Sequence, residues 1–239
     1  MYENFIHTGT LLLPAPDVNL TAWACVACDQ YTSQPEYWRE ADALVGDRPS
    51  TLRLILPEAE LAQAAARVPM IHRAMADYLN RGLLQTGVAD GFILTERVTE
   101  SGERIGLVAL LDLEGYDYRK DSHAPVRATE GTILERIPPR QAVRRGAALE
   151  MSHVLLLMDD PLRSVLEPLQ DKRAQLTQLY DFPLMLGGGH LRGYAVTDPT
   201  DVSAVFAALR ALRGRLAGDM FLAVGDGNHS LAAAKDCWE

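Results

Sequence analysis

From Tyr194 onward the hydrophobic pattern changes period three times, and this switching restricts the fold more than any other feature of the chain. A short apolar run at 194–196 reads as a strand. Residues 201–216 then carry Val202, Val205, Phe206, Leu209, Leu212 and Leu216 at helical spacing. Asp198 or Thr200 stands where an N-cap belongs. A second apolar run, 220–224, predicts a buried strand, and the alanine-rich stretch 231–238 predicts a helix. Strand, helix, strand, helix requires a sheet carrying helices on its face.

Upstream the signals are mixed. Residues 23–28 and 51–56 read as short strands. Pro35 suits a first helical turn, and 36–45 continues as a helix stopped at Gly46. Helical patterning over 58–83 sets Ile71, Met75, Tyr78 and Leu79 on one face, with Pro69 expected to divide it into two helices. Residues 91–98 and 104–113 predict paired strands around a turn at 99–103. A long polar segment, 114–132, follows, and loops of that length are often functional. Pro138-Pro139 opens a short helix, and 153–158 predicts a strand. A helical stretch starts at 159–161 and is interrupted at Pro168, after which Leu169, Leu176 and Leu179 supply a helix face. Strict βαβ alternation is missing. The expected class is α/β (α+β), a mixed sheet with flanking helices in one unit, 1–239.

The chain has 23 Lys and Arg against 32 Asp and Glu, a net charge of −9. Such a balance disfavours nucleic acid as partner, because a duplex needs a basic face. No apolar run approaches the roughly 18 residues of a membrane span, so a soluble, cytoplasmic protein with no membrane partner is expected. Cys25 and Cys28 form a C-x-x-C without the second ligand pair a zinc site needs.

The candidate site is Gly225-Asp226-Gly227-Asn228-His229-Ser230, between the last strand and the last helix. Glycines permit backbone angles closed to other residues and let a ligand approach the main chain. The following helix aims free N–H groups and a partial positive charge at the turn, which suits an anion. Asp226 offers a base or a metal ligand, Asn228 an amide, His229 an imidazole and Ser230 a hydroxyl. The same residues also suit an ordinary polar turn with a capped helix. A dinucleotide fingerprint would need an acidic residue about 20 positions on; none follows Gly227 at that distance. Arg127, Arg136, Arg140, Arg144 and Arg145 form the densest basic stretch and could match phosphate oxygens, although a solvated helix face is the better reading of Arg144 and Arg145. Asp29 follows an apolar run at a position common for site residues. Gly187-Gly188-Gly189-His190 is a second glycine turn, suited to an oxyanion nest or to a plain connection.

Cys28-Asp29-Gln30-Tyr31-Thr32-Ser33-Gln34-Pro35-Glu36-Tyr37-Trp38, Arg127-Ala128-Thr129-Glu130-Gly131-Thr132, Glu135-Arg136-Ile137-Pro138-Pro139-Arg140 and the C-terminal turn together resemble one bacterial family, that of "domain of unknown function 1015". Many members carry a DGHHR-like turn where this chain has Asp226-Gly227-Asn228-His229-Ser230. That turn is similar to the nucleotide-phosphate turn of the ParB/sulfiredoxin superfamily, which includes free-serine kinases. The arginine common after the histidine is Ser230 here, which removes a phosphate-binding charge. Members usually continue past the turn, so the resemblance implies the N-terminal part of a longer architecture.

What the resemblance implies is a nucleotide-dependent phosphotransferase acting on a small polar metabolite, with serine one candidate. ATP or ADP and magnesium would be its cofactors. Asp226, His229, Asp29 and Glu130 would be catalytic, with Asp226 also the metal ligand. Gly225, Gly227, Asn228, Ser230, Arg127, Arg136 and Arg140 would hold the nucleotide. A non-catalytic nucleotide or metabolite sensor, or a phosphate-ester hydrolase, would use the same turn.

Overall fold

The computed structural model describes residues 5–26, 31–151 and 154–239. In chain order the elements are β1 (Ile6–His7), β2 (Gly9–Pro14), α1 (Leu20–Trp23), α2 (Pro35–Val45), α3 (Ala64–Asn80), β3 (Leu84–Thr99), β4 (Gly102–Val108), β5 (Leu110–Leu111), β6 (Tyr116–Asp117), β7 (Val126–Ala128), α4 (Ile137–Arg144), β8 (Leu155–Leu157), α5 (Glu167–Asp171), β9 (Thr177–Pro183), β10 (His190–Val196), α6 (Pro199–Arg215), β11 (Leu222–Asp226) and α7 (Asn228–Trp238). Helices and strands mix in an α+β fold.

The long strand β3 organises the first sheet. Its N-terminal half pairs antiparallel with β2, and its C-terminal half lies between β4 and β10, with β9 beyond β10. Phe92, Leu94 and Glu96 are all buried, and their spacing of two puts them on one face of the strand. The second sheet has the order β6-β7-β11-β8; β6, β7 and β11 run parallel, and β8 is antiparallel to β11. One hydrophobic cluster joins the two sheets. Phe92, Leu94, Tyr194 and Val196 meet Tyr116, Val126, Leu222 and Val224, with Val205, Leu209 and Leu212 of α6 packed among them. A separate cluster of Trp23, Leu54, Ile71, Met75 and Tyr78 forms around α3.

Where signals are local, expectation and structure agree. Helix α2 begins at Pro35 and ends before Gly46. Asp198 caps α6, its side chain accepting from the Thr200 amide. The 91–98/104–113 hairpin is the β3–β4 pair.

Elsewhere the structure corrects the sequence reading. Of the strand expected at 23–28, residues 24–26 are irregular and 27–28 lie outside the described residues. Residues 20–23 are helical, capped by Asn19, and 51–53 form a 3-10 turn. The Ser50 hydroxyl holds both in place by accepting from Leu52 N and donating to the Trp23 carbonyl. Helix α3 runs unbroken through Pro69. Burial of Ile71, Met75 and Tyr78 outweighs the one hydrogen bond that proline removes. Residues 177–183 are strand, because β10 offers them a ladder. The long polar segment carries β6 and β7, and 187–190 are the end of a 3-10 turn and the start of β10.

Candidate functional site

The last strand and last helix meet across a tighter junction than the pattern suggested. Strand β11 extends to Asp226 and α7 starts at Asn228, leaving Gly227 alone between them. Gly227 has φ 79 and ψ 24, left-handed angles that only glycine adopts without strain. At Gly225 the pairing of β11 with β8 shifts register, and a Cβ there would come within 2.8 Å of Leu157. Gly227 is therefore required by the local backbone, whereas at Gly225 the contact is with an exposed leucine side chain that can move.

Because β7 and β11 are parallel, their following segments emerge at the same edge of the sheet. Residues 129–133 after β7 stand beside the first turn of α7. Thr129 Oγ1 donates to the Val224 carbonyl at 2.9 Å, and Ile133 N donates to His229 Nε2 at 3.0 Å. Ligands of sheets with parallel strands commonly bind outside the carboxyl ends of those strands.

His229 and Asn228 are each 5% exposed. Nε2 of His229 accepts from Ile133, so that nitrogen is not available as a donor. Asn228 Oδ1 accepts from His229 N at 2.8 Å, while Asn228 Nδ2 is buried without a hydrogen-bond partner. Thr132 Oγ1, one residue before Ile133, is likewise buried and unpartnered. Buried polar groups are normally satisfied, so two orphans beside one helix N-terminus mark a place where a ligand's polar atoms would fit. The Tyr116 hydroxyl lies 3.4 Å from the Asn228 carbonyl, to which it donates, and burial pushes that phenol's pKa well upward. It stays a protonated donor under the turn. Asp226 is half-buried at the end of β11, and Ser230 is half-buried on the first turn of α7.

The other sequence candidates are dispersed. Arg127 donates to the Ser122 carbonyl and to Asp219 Oδ1, both at 2.8 Å. Asp219 precedes β11, so the Arg127 guanidinium is held toward the amino end of that strand, away from the Gly227 junction. The Asp219 carboxyl lies below its usual pKa range because His123, and then Arg127, hydrogen-bond to it. Arg136 and Arg140 are both bound to Glu58, the first at 3.1 Å. Glu130 is exposed. Asp29 lies outside the described residues.

Among the described residues no group of three or more His, Cys, Asp or Glu side chains is gathered for a metal ion. Asp226 could hold magnesium only in the manner common with nucleotides, as one carboxylate completed by phosphate oxygens and water. Thr132 and Glu58 were missed by sequence reasoning. Thr132 ends the Arg127–Thr132 motif and could have been found there, whereas nothing in the sequence singles out Glu58.

These features define an α+β protein with a glycine-hinged helix N-terminus at the carboxyl ends of parallel strands. The chain belongs to the family described as "Protein of unknown function (DUF1015)", which it matches over residues 11–239. No curated protein and no solved structure matches it. Among the described residues no helix is long and apolar enough to cross a membrane.

Proposed function

We propose that the Gly227 junction binds the phosphates of a nucleotide, and that the protein is a phosphotransferase acting on a small polar metabolite in the cytoplasm. The observation that carries this reading is the pair of orphaned polar groups, Asn228 Nδ2 and Thr132 Oγ1, at the start of α7. A helix N-terminus with unengaged donors favours an anion by hydrogen bonding and by its dipole. The turn's similarity to the ParB/sulfiredoxin-like phosphate turn supports the same ligand. The Asp226 carboxylate has no hydrogen bond or ion pair to any described residue, which leaves it available as base or magnesium ligand, while its backbone pairs with Leu155. Phosphoryl transfer asks mainly for positioning and charge neutralisation, which the helix N-terminus and a magnesium ion at Asp226 would supply.

A second reading, a nucleotide or metabolite sensor, is favoured by one fact. His229, Arg127, Arg136 and Arg140 are all engaged with other protein groups. Incubation with ATP or ADP, magnesium and a pool of amino acids, read by mass spectrometry, separates the two. A phosphorylated product supports the enzyme. Saturable binding without product supports the sensor, and no binding to either nucleotide removes both. Nucleotide at ~100 times its dissociation constant should raise stability by about 2.7 kcal/mol.

A further inference from the structure

We propose that residues 130–135 form a lid over the Gly227 junction, closed in this structure, that lifts when an anion enters. The inference rests on the phosphate reading of the junction and adds how that site is opened. Asn228 Nδ2 and Thr132 Oγ1, the groups left for the ligand, are both shut off from solvent. A phosphate reaches them only if something moves. They belong to the two sides of one contact. Asn228 begins α7, and Thr132 lies on the segment that the Ile133 N–H holds against α7 by donating to His229 Nε2 at 3.0 Å.

Helix α7 is the fixed side. Ala232 and Ala233 are fully buried against Ile137, and the Tyr116 hydroxyl meets the Asn228 carbonyl from the core. The segment 130–135 is held far less: none of its side chains joins a hydrophobic cluster, and every residue except Thr132 is exposed. Ile133 and Leu134 are 45% and 61% exposed as they stand, so lifting takes little further apolar surface into water. Segments with few buried apolar contacts open locally while the rest stays folded. Both ends are anchored. Thr129 Oγ1 donates to the Val224 carbonyl on one side, and Arg136 pairs with Glu58 on the other. Gly131, with open space where a Cβ would stand, gives a pivot just inside the first anchor. Glu130 and Glu135 add two carboxylates to the lid, which repel an incoming anion until the lid swings out. An anion wedged between lid and helix takes one hydrogen bond from each side and replaces the bond between Ile133 and His229.

The test is titration of tripolyphosphate into the full chain, followed by calorimetry and by the nitrogen–nitrogen coupling across the bond from Ile133 N–H to His229 Nε2 in the NMR spectrum. The coupling should be present in the free protein and vanish at saturation. Ile133→Pro removes the fastening N–H at a residue whose φ of -82 lies close to proline's own range. By shifting the population toward the open lid, it should tighten tripolyphosphate binding about threefold or more. A bond that only supported the site would give the opposite, weaker binding in the variant. A coupling absent from the free protein or persisting at saturation, or an affinity unchanged or reduced in Ile133→Pro, would overturn the lid. The wild-type coupling decides even where the variant misfolds. Binding with the coupling intact removes the lid and leaves the phosphate reading, whereas binding to neither protein removes both.

Discussion

His229 shows how one hydrogen bond reassigns a residue. Residue type alone suggested a catalytic or phosphate-contacting imidazole, yet its Nε2 accepts from the Ile133 amide, 96 positions earlier in the chain. That nitrogen cannot also donate to a phosphate. The side chain instead fastens the 129–133 segment to α7. His229→Ala should then leave a partly buried N–H unsatisfied and lower stability by about 1–3 kcal/mol, measurable by urea denaturation. Stability unchanged within error would contradict the fastening role. Asp226 and Asn228 should divide differently in a nucleotide assay. Asn228→Asp replaces an unpartnered donor with a negative charge. It should weaken nucleotide binding roughly ten- to a hundred-fold, the loss of a hydrogen bond to a charged group. Asp226→Asn should leave affinity within about threefold while impairing turnover, if Asp226 acts as base or magnesium ligand. Equal effects of the two on binding would deny them distinct roles.

At the scale of elements, α7 carries the junction and is tied down at both ends. Ala232 and Ala233 let it approach Ile137 of α4 closely. Near its C-terminus Asp236 accepts from the Tyr118 hydroxyl at 2.6 Å and from Gln141 at 3.1 Å. The Asp236 hydrogen bond, helped by partial burial, pushes the Tyr118 phenol up to about 12. The folded state thus prefers the protonated phenol. This contribution to stability is fully present below the unfolded value near 10 and is lost as pH rises through about 12. Absorbance titration of tyrosinate should show Tyr118 among the late phenols, together with Tyr116 and Tyr180, both raised by burial, and Asp236→Asn should return one of them toward 10. A midpoint indifferent to Asp236→Asn would exclude this bond as the cause. The elements legible in the sequence were those set by near neighbours: the Pro35 start and Gly46 stop of α2, the Asp198 cap of α6, and the β3–β4 turn. Those that were misread depend on distant partners. Leu169, Leu176 and Leu179 fit a helical face, but β9 becomes strand by pairing with β10. The candidate turn was legible from glycine chemistry. Its surroundings were not, because Thr132, Ile133 and Glu58 reach their places only through tertiary contacts.

For the whole molecule, the decisive question is whether the α3 cluster and the two-sheet core behave as one body. Strand β3 connects them physically. Leu84 at its start packs on the cluster of Trp23, Ile71, Met75 and Tyr78, while Phe92 and Leu94 further along lie in the core shared by both sheets. A strand paired along its length with β2, β4 and β10 cannot release one end without loosening the ladder at the other. Unfolding should therefore be a single cooperative transition. Phe92 is fully buried, and Phe92→Ala should lower stability by about 3–5 kcal/mol. Tryptophan fluorescence reports mainly the N-terminal clusters, where Trp23 and Trp38 are buried, whereas far-UV circular dichroism reports all elements. In the variant both signals should move to lower urea together and keep a common midpoint. If the dichroism midpoint falls while the fluorescence midpoint stays, the α3 cluster folds on its own. The cluster built on Leu54 and Met75 would then belong to a unit separable from the sheet that carries the Gly227 junction.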